Sequence, residues 1–272
     1  MSYNFEVESG NTVKFPVGGK YCDRDIVVTA TGGGAELARS ILDKTVTSYI
    51  DDKLTKISAY GFSDCSNLVE LEIPNVTYIG SRALQNCRGL TTINALSVTE
   101  VADYACAGCV ATFNFPKLVK AGNRAFGECK SGAPKLYAPE LVTTNGYLCS
   151  YSTAMIEAIV PKLQVFGRYE FLTCFKITYI DASSATSIGQ NTFDGCGSLK
   201  TLIIRSDSVC TLSATSAFNG SGISKGTGFI YVPDNLVEQY KTATNWSTYA
   251  DQIRAIEDYP EITGGATIWQ LY

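Results

Sequence analysis

Cysteines are the residues of this chain whose side chains could most readily do chemistry. The sequence contains ten cysteines and no histidine. Thiolates can ligate zinc or attack disulfides, and Cys106 and Cys109 have the C-x-x-C spacing of zinc and redox sites. No second C-x-x-C pair is present, and histidine, the commonest general base and metal ligand, is missing. We therefore expect no metal, no cofactor and no catalytic residue, and the thiols need another explanation.

Paired carboxylates are the second candidate chemistry. Glu70 and Glu72 alternate along one short segment, and Asp51 and Asp52 precede it. Carboxyl pairs perform acid–base catalysis only where a cleft drives their pKa values apart, and no part of the sequence indicates a cleft. We interpret these residues as a solvated acidic edge and expect that the protein is not an enzyme.

An internal repeat accounts for the cysteines. An apolar residue is followed five positions later by an aromatic or small apolar residue, and three positions after that by Cys or Ser, in units of 20 to 25 residues. The units start at Ile57, Ile79, Val101, Ala121, Thr144, Phe166, Ile188 and Ser213. Equivalent positions of stacked repeats share one environment, and Cys packs as a small hydrophobe. The repeat predicts free thiols and a structural core of Phe62, Cys65, Leu84, Cys87, Cys106, Cys109, Phe126, Cys129, Phe171, Cys174, Phe193, Cys196 and Phe218.

A second signature follows each Cys or Ser. The segment LVELEIP from Leu68 to Pro74 has the pattern L-x-x-L-x-L, and degenerate versions recur in the later units. Alternation predicts a short strand whose apolar side chains point inward, and Pro ends several of these strands because it has no N–H to donate. Adjacent strands then form a long parallel sheet on one face of the stack.

The repeat resembles the BspA-like leucine-rich repeats of bacterial surface antigens, whose units read I-G-x-x-A-F-x-x-C-x-x-L-x-x-I-x-I-P. The similarity covers residues 45–235, and the segment IYVPDNLVEQYKTATNWSTYADQI resembles the closing segment of that family. The resemblance implies a right-handed leucine-rich-repeat solenoid with a binding or adhesive role. The departures are a short third unit, a long last interval and Ser152 in place of Cys.

Four regions are expected, with about eight coils in the repeat region. The N-terminal region, residues 1–34, resembles short modules of prophage and tail-associated proteins of gut bacteria. The N-terminal cap, residues 35–56, contains a short helical stretch. The C-terminal region, residues 233–272, contains a short helix capped by Asp234. The regions are a β-hairpin-like module with a Gly linker (1–34), an N-terminal cap (35–56), the solenoid (57–232), and a C-terminal helical cap with a tail (233–272).

Charge and hydropathy limit the partners and the location. The net charge is −4 without a basic cluster, which disfavours nucleic acid. No run of about 18 apolar residues occurs, so no membrane span is predicted. The N-terminus lacks the pattern of a secretory signal. These features favour a monomeric cytoplasmic or phage-associated protein, whereas the family resemblance favours the cell surface.

The outward positions of the predicted strands form the candidate binding surface. They are polar in the first three coils and become aromatic or apolar afterwards. Such a patch indicates contact with a protein or glycan, although Tyr and Ile also have high strand propensity. We predict a binding or adhesion protein, or alternatively a structural part of a phage or cell-surface assembly docked through residues 1–34. The candidate partner-binding residues are Tyr137, Ile159, Tyr179, Asp181, Ile203, Phe229 and Tyr231.

Overall fold

The computed structural model of the chain describes residues 35–37 and 47–263. The predicted module at residues 1–34 lies outside the described residues. The described chain winds into a parallel β-solenoid of about nine turns, close to the eight coils expected from the repeat. No helix in the described ranges is long and apolar enough to cross a membrane.

One wall of the solenoid is built from the L-x-x-L-x-L segments, and we call its outward surface the main face. Its strands pair in parallel as β2-β4-β6 and as β8-β10-β12-β14-β16-β18-β19. The break between β6 and β8 falls in the short third unit. These strands are Ser48–Ile50 (β2), Glu70–Glu72 (β4), Thr92–Asn94 (β6), Phe113–Asn114 (β8), Lys135–Tyr137 (β10), Glu157–Ile159 (β12), Tyr179–Asp181 (β14), Thr201–Ile203 (β16), Phe229–Val232 (β18) and Ile253–Ala255 (β19).

A second wall runs beside the first and consists mostly of two-residue strands. They pair as β1-β3-β5-β7-β9-β11 and as β13-β15-β17. At the break between β11 and β13, the buried Glu170 carboxylate accepts bonds from Thr144 Oγ1 (2.6 Å) and from the backbone N–H of Leu148 (2.8 Å). The strands are Ala35–Leu37 (β1), Leu54–Ile57 (β3), Tyr78–Ile79 (β5), Glu100–Val101 (β7), Lys120–Ala121 (β9), Thr143–Thr144 (β11), Val165–Phe166 (β13), Ser187–Ile188 (β15) and Thr211–Leu212 (β17).

Aromatic rings and thiols fill the interior between the walls. The nine cysteines of the described ranges are free and buried, and several thiols donate to a carbonyl of the preceding coil. Cys87 Sγ donates to Phe62 O (3.1 Å) and Cys109 Sγ to Leu84 O (3.0 Å). The following core positions are at most 2% exposed: Phe62, Cys65, Leu84, Cys87, Cys106, Cys109, Phe126, Cys129, Phe171, Cys174, Phe193, Cys196 and Phe218.

The turns that join the walls repeat an uncommon backbone conformation. The fourth residue of each of the first seven units has a φ between 50° and 64°, which L-residues adopt rarely. In the first four of these units the backbone N–H of this residue donates to the next coil, as Tyr104 does to Asn123 O (2.8 Å), so stacking favours this conformation there. These residues are Tyr60, Arg82, Tyr104, Arg124, Tyr147, Tyr169 and Asn191.

The two ends of the stack differ from the sequence-based expectation. In the segment where a short helical stretch and a strand were expected, residues 35–37 form strand β1 because they pair with β3, and residues 38–46 lie outside the described residues. The side chain of Asp234 caps no helix, while its backbone N–H donates to Glu257 Oε2 (2.9 Å). Strand β19 continues the main wall into the C-terminal region. The helical elements are 3₁₀ turns at Thr215–Phe218, Asp234–Leu236, Trp246–Gln252 and Ile256–Asp258, and α-helices at Val237–Thr242 (α1) and Pro260–Thr263 (α2).

Candidate functional site

Strand register brings the candidate binding residues together on the main face. Tyr137 aligns with Ile159, which aligns with Asp181, and the row continues through Ile203 to Tyr231. A parallel row runs from Glu157 through Tyr179 and Thr201 to Phe229. Because coils stack in register, each outward position becomes a column on one surface.

Part of this surface is covered by the chain itself. Ile203 and Tyr231 were expected to face solvent, but they are 1% and 6% exposed. We call residues 256–262 the C-terminal strap. Ile256 of the strap forms one buried cluster with Ile203 and Tyr231, and the centres of the Tyr231 and Tyr259 rings are 5.1 Å apart. The expectation of exposure is wrong at these positions because removing apolar side chains from water is favourable. Ile159, also predicted to be outward, is 2% exposed.

The remaining candidates are half-buried and held in place by neighbours. Tyr179 packs against the strap cluster, and its hydroxyl donates to Ile262 O (3.5 Å). Burial raises the pKa of Tyr179 above its usual value. Asp181 Oδ1 accepts a bond from the Ser183 backbone N–H (3.0 Å), and Tyr137 is also half-buried. The main face is therefore an ordered surface of rings and polar groups.

Nearby, the Arg254 guanidinium lies 4.4 Å from the centre of the Phe229 ring. Phe229 is half-buried and packs against the strap cluster. This cation–π contact orders the last strands of the main face next to the strap.

The residues with catalytic potential occupy structural positions. Cys106 and Cys109 are fully buried. Burial raises the pKa of the Cys106 thiol, and a hydrogen bond with Cys87 together with burial raises the pKa of the Cys109 thiol. Asp51 is not part of a solvated acidic edge as expected. It is buried and accepts bonds from Tyr49 Oη (3.0 Å) and from the backbone N–H groups of Lys53 (2.8 Å) and Leu54 (2.9 Å), so its carboxylate organises a turn. The described residues contain no cluster of His, Cys, Asp and Glu that could hold a metal ion.

A second surface lies on the turns and was not predicted from the sequence. The Arg124 guanidinium lies 5.7 Å from the centre of the Tyr104 ring and 5.1 Å from those of Tyr147 and Tyr151. Beside it is a groove of about 570 Å³, here called the turn-side groove. The recurrence of Tyr and Arg at the fourth position of the repeat was the available signal. The residues that line the groove are Arg124, Glu128, Lys130, Tyr151, Thr153, Thr173 and Phe175.

Comparisons with known proteins identify the repeat. The family model for the BspA type leucine rich repeat region matches in six copies, over residues 42–112 and 99–224. No curated protein matches the chain.

Three solved structures are similar to the chain at low sequence identity. A leucine rich cell surface protein from Faecalibacterium prausnitzii A2-165 is 15% identical, with coverage of 83% of this chain and 76% of that chain and a TM-score of 0.36. A leucine-rich repeat protein from Bacteroides ovatus ATCC 8483 is 14% identical, with coverage of 93% and 91% and a TM-score of 0.36. The pneumococcal vaccine antigen PcpA is 11% identical, with coverage of 89% and 91% and a TM-score of 0.33.

Proposed function

Because the chain belongs to the BspA-type leucine-rich-repeat family, we propose that it is a non-enzymatic binding or adhesion protein whose main face contacts a protein or glycan partner. Membership of this family also supports a location at the bacterial cell surface. The extended sheet surface is where a solenoid offers the most contact area to a partner.

The observation that carries this proposal is the register of the main face. Five consecutive strands place Tyr137, Ile159, Asp181, Ile203 and Tyr231 in one row. Each strand is hydrogen-bonded to its neighbours, so the surface is ordered before a partner arrives and little entropy is lost on binding. The Tyr137 and Tyr179 rings stay half-exposed on this surface, and tyrosine rings held in an ordered surface are typical of binding hot spots.

The strap defines where the partner meets this surface. Since Ile203 and Tyr231 are buried in one cluster with Ile256 of the strap, direct contact falls on Tyr137, Tyr179 and Asp181. The strap itself forms the border of the contact surface.

Substitution of the two tyrosines tests the proposal. The full chain and its Tyr137→Ala/Tyr179→Ala variant are compared by biolayer interferometry against a panel of purified extracellular-matrix glycoproteins and polysaccharides. We expect at least one panel member to bind the full chain and to bind the double variant about tenfold or more weakly, because truncating hot-spot residues costs about 2 kcal/mol or more.

The matched control is Gln190→Ala, which changes an exposed residue outside the main face. It should bind like the unmodified chain, and circular dichroism should show that both variants remain folded. A panel without a binder, or equal affinity of the double variant, would contradict the proposal.

A further inference from the structure

We propose that the turn-side groove is a second binding site and that its ligand is an anionic saccharide. The groove is separate from the main face and is formed by three successive coils. Its volume of about 570 Å³ lies within the usual range of ligand sites. The assignment rests on charge, exposed rings and the state of the local backbone.

The charge of the groove favours an anion. Arg124 and Lys130 line it, and Lys176 is exposed next to Phe175 in the chain. Among the described lining residues Glu128 is the one carboxylate, and it pairs with Arg124 at 3.8 Å. The cations therefore exceed the anions, and ammonium and guanidinium groups bind carboxylate or sulfate through charge-assisted hydrogen bonds.

Two exposed rings favour a saccharide. Tyr151 is 38% exposed and Phe175 is 53% exposed, and they lie in successive coils. The face of an aromatic ring is electron-rich and attracts weakly positive C–H bonds, which the face of a sugar ring presents. The Thr153 side chain lines the same groove, and its hydroxyl can bond to sugar hydroxyls.

The backbone beside the groove disfavours a peptide strand as the ligand. The N–H groups of Glu128, Tyr151 and Thr173 donate to Ser150 O (3.0 Å), Leu172 O (2.7 Å) and Asp194 O (2.7 Å). A peptide that binds by strand addition needs unpaired main-chain groups. At these three positions the groove offers side chains alone, which suits a ligand that carries its own hydroxyl and acid groups.

Unmet hydrogen-bonding groups also concentrate here. Arg124 Nε and Thr173 Oγ1 are two of the three buried side-chain polar atoms that lack a hydrogen-bond partner within the described ranges. An unmet buried polar atom is unfavourable, and turning Thr173 toward a ligand would sacrifice no hydrogen bond at its hydroxyl. The groove thus has unused bonding capacity as well as positive charge.

Calorimetric titration of the full chain tests the assignment with defined probes. The probes are a galacturonate hexamer, which carries carboxylates, a heparin hexasaccharide, which carries sulfates, and a neutral maltohexaose. We expect at least one anionic probe to bind and the neutral probe to bind at least tenfold more weakly. The comparison between the two anionic probes identifies the acid group.

The variants Phe175→Ala and Lys130→Gln should each weaken binding of the anionic probe about tenfold. Both residues are exposed, so both variants should remain folded by circular dichroism. The Tyr137→Ala/Tyr179→Ala variant should keep saccharide affinity, which separates this site from the main face. The proposal is overturned if neither anionic probe binds, if both groove variants bind normally, or if a poly-glutamate peptide binds as tightly as the saccharides.

Discussion

At the scale of single residues, the column of thiols acts as a set of hydrogen-bond donors inside an apolar core. Cys174 Sγ donates to Cys149 O (3.1 Å) and Cys196 Sγ to Phe171 O (3.2 Å). Ser152 occupies the same repeat position, and its hydroxyl donates to Phe126 O (2.7 Å). The position therefore selects a small donor, which explains why both Cys and Ser occur there.

Glu170 is a buried carboxyl of the core whose ionisation couples folding to pH. Its carboxylate is buried, and loss of hydration raises its pKa despite bonds from Thr144, Leu148 and Gly167. A carboxyl whose folded-state pKa is raised favours folding when protonated, and this contribution is lost as pH rises through the raised pKa.

Comparison with Glu170→Gln isolates this effect. We expect the free energy of unfolding of the unmodified chain, minus that of the variant, to be largest at acidic pH below the ordinary glutamate pKa. The difference should fall as pH rises through the raised pKa, because only the unmodified chain gains a buried charge. Urea unfolding at a series of pH values measures it, and a difference that is constant or rises with pH would contradict the prediction.

At the scale of elements, close contact between successive coils limits which side chains the turns accept. The Gly222 backbone N–H donates to Cys196 O (3.0 Å). A Cβ atom at Gly222 would lie 2.1 Å from Leu199 O. The backbone of the preceding coil thus occupies the space of a side chain, and a larger residue must push two coils apart.

We expect Gly222→Ala to lower the free energy of unfolding by about 1–3 kcal/mol, the usual cost of overpacking. The matched control is Gly197→Ala, because the nearest atom to its new Cβ would be the mobile Lys225 Nζ at 3.2 Å. The control should change stability by less than about 0.5 kcal/mol. Urea denaturation measures the free energy of unfolding of both variants. A Gly222→Ala variant as stable as the Gly197→Ala control would show that the coils separate without a cost in free energy.

The elements also show which features periodicity can predict. The alternation around Leu71 and Ile73 and the regular recurrence of Cys gave the main wall, the thiol column and the solenoid class, since each coil repeats one environment. The burial of Ile203 could not be predicted, because its cover comes from a strap outside the repeat. The turn-side groove was missed because its left-handed positions hold residues as different as Arg124, Glu128, Tyr151 and Thr173, which show no common chemistry along the repeat.

At the scale of the whole molecule, the strap closes the C-terminal part of the main face. Ile256 joins Ile203 and Tyr231 in one buried cluster, and Tyr259 and Ile262 pack against it. A solenoid needs protected ends because its last coil has no following neighbour. The strap extends this protection from the end of the stack onto the side that we propose binds a partner.

Truncation measures the contribution of the strap. A chain ending at Ala255 should expose Ile203 and Tyr231, bind more of the dye ANS and lose about 2–5 kcal/mol of unfolding free energy, as expected for uncovering a few apolar side chains. A chain ending at Thr263 keeps the strap and is the control. Equal ANS fluorescence of the two truncated chains would show that the strap does not seal the surface.

The stacking of the walls has a consequence for the evolution of length. Each added or deleted coil lengthens or shortens the molecule by one strand spacing, about 4.8 Å, while the contacts within the other coils are unchanged. The length of the solenoid can therefore change only in steps of one strand spacing. Inserting one unit between β10 and β12 would move Ile203 and the strap one step away from Tyr137 and leave the contact between Tyr179 and the strap intact.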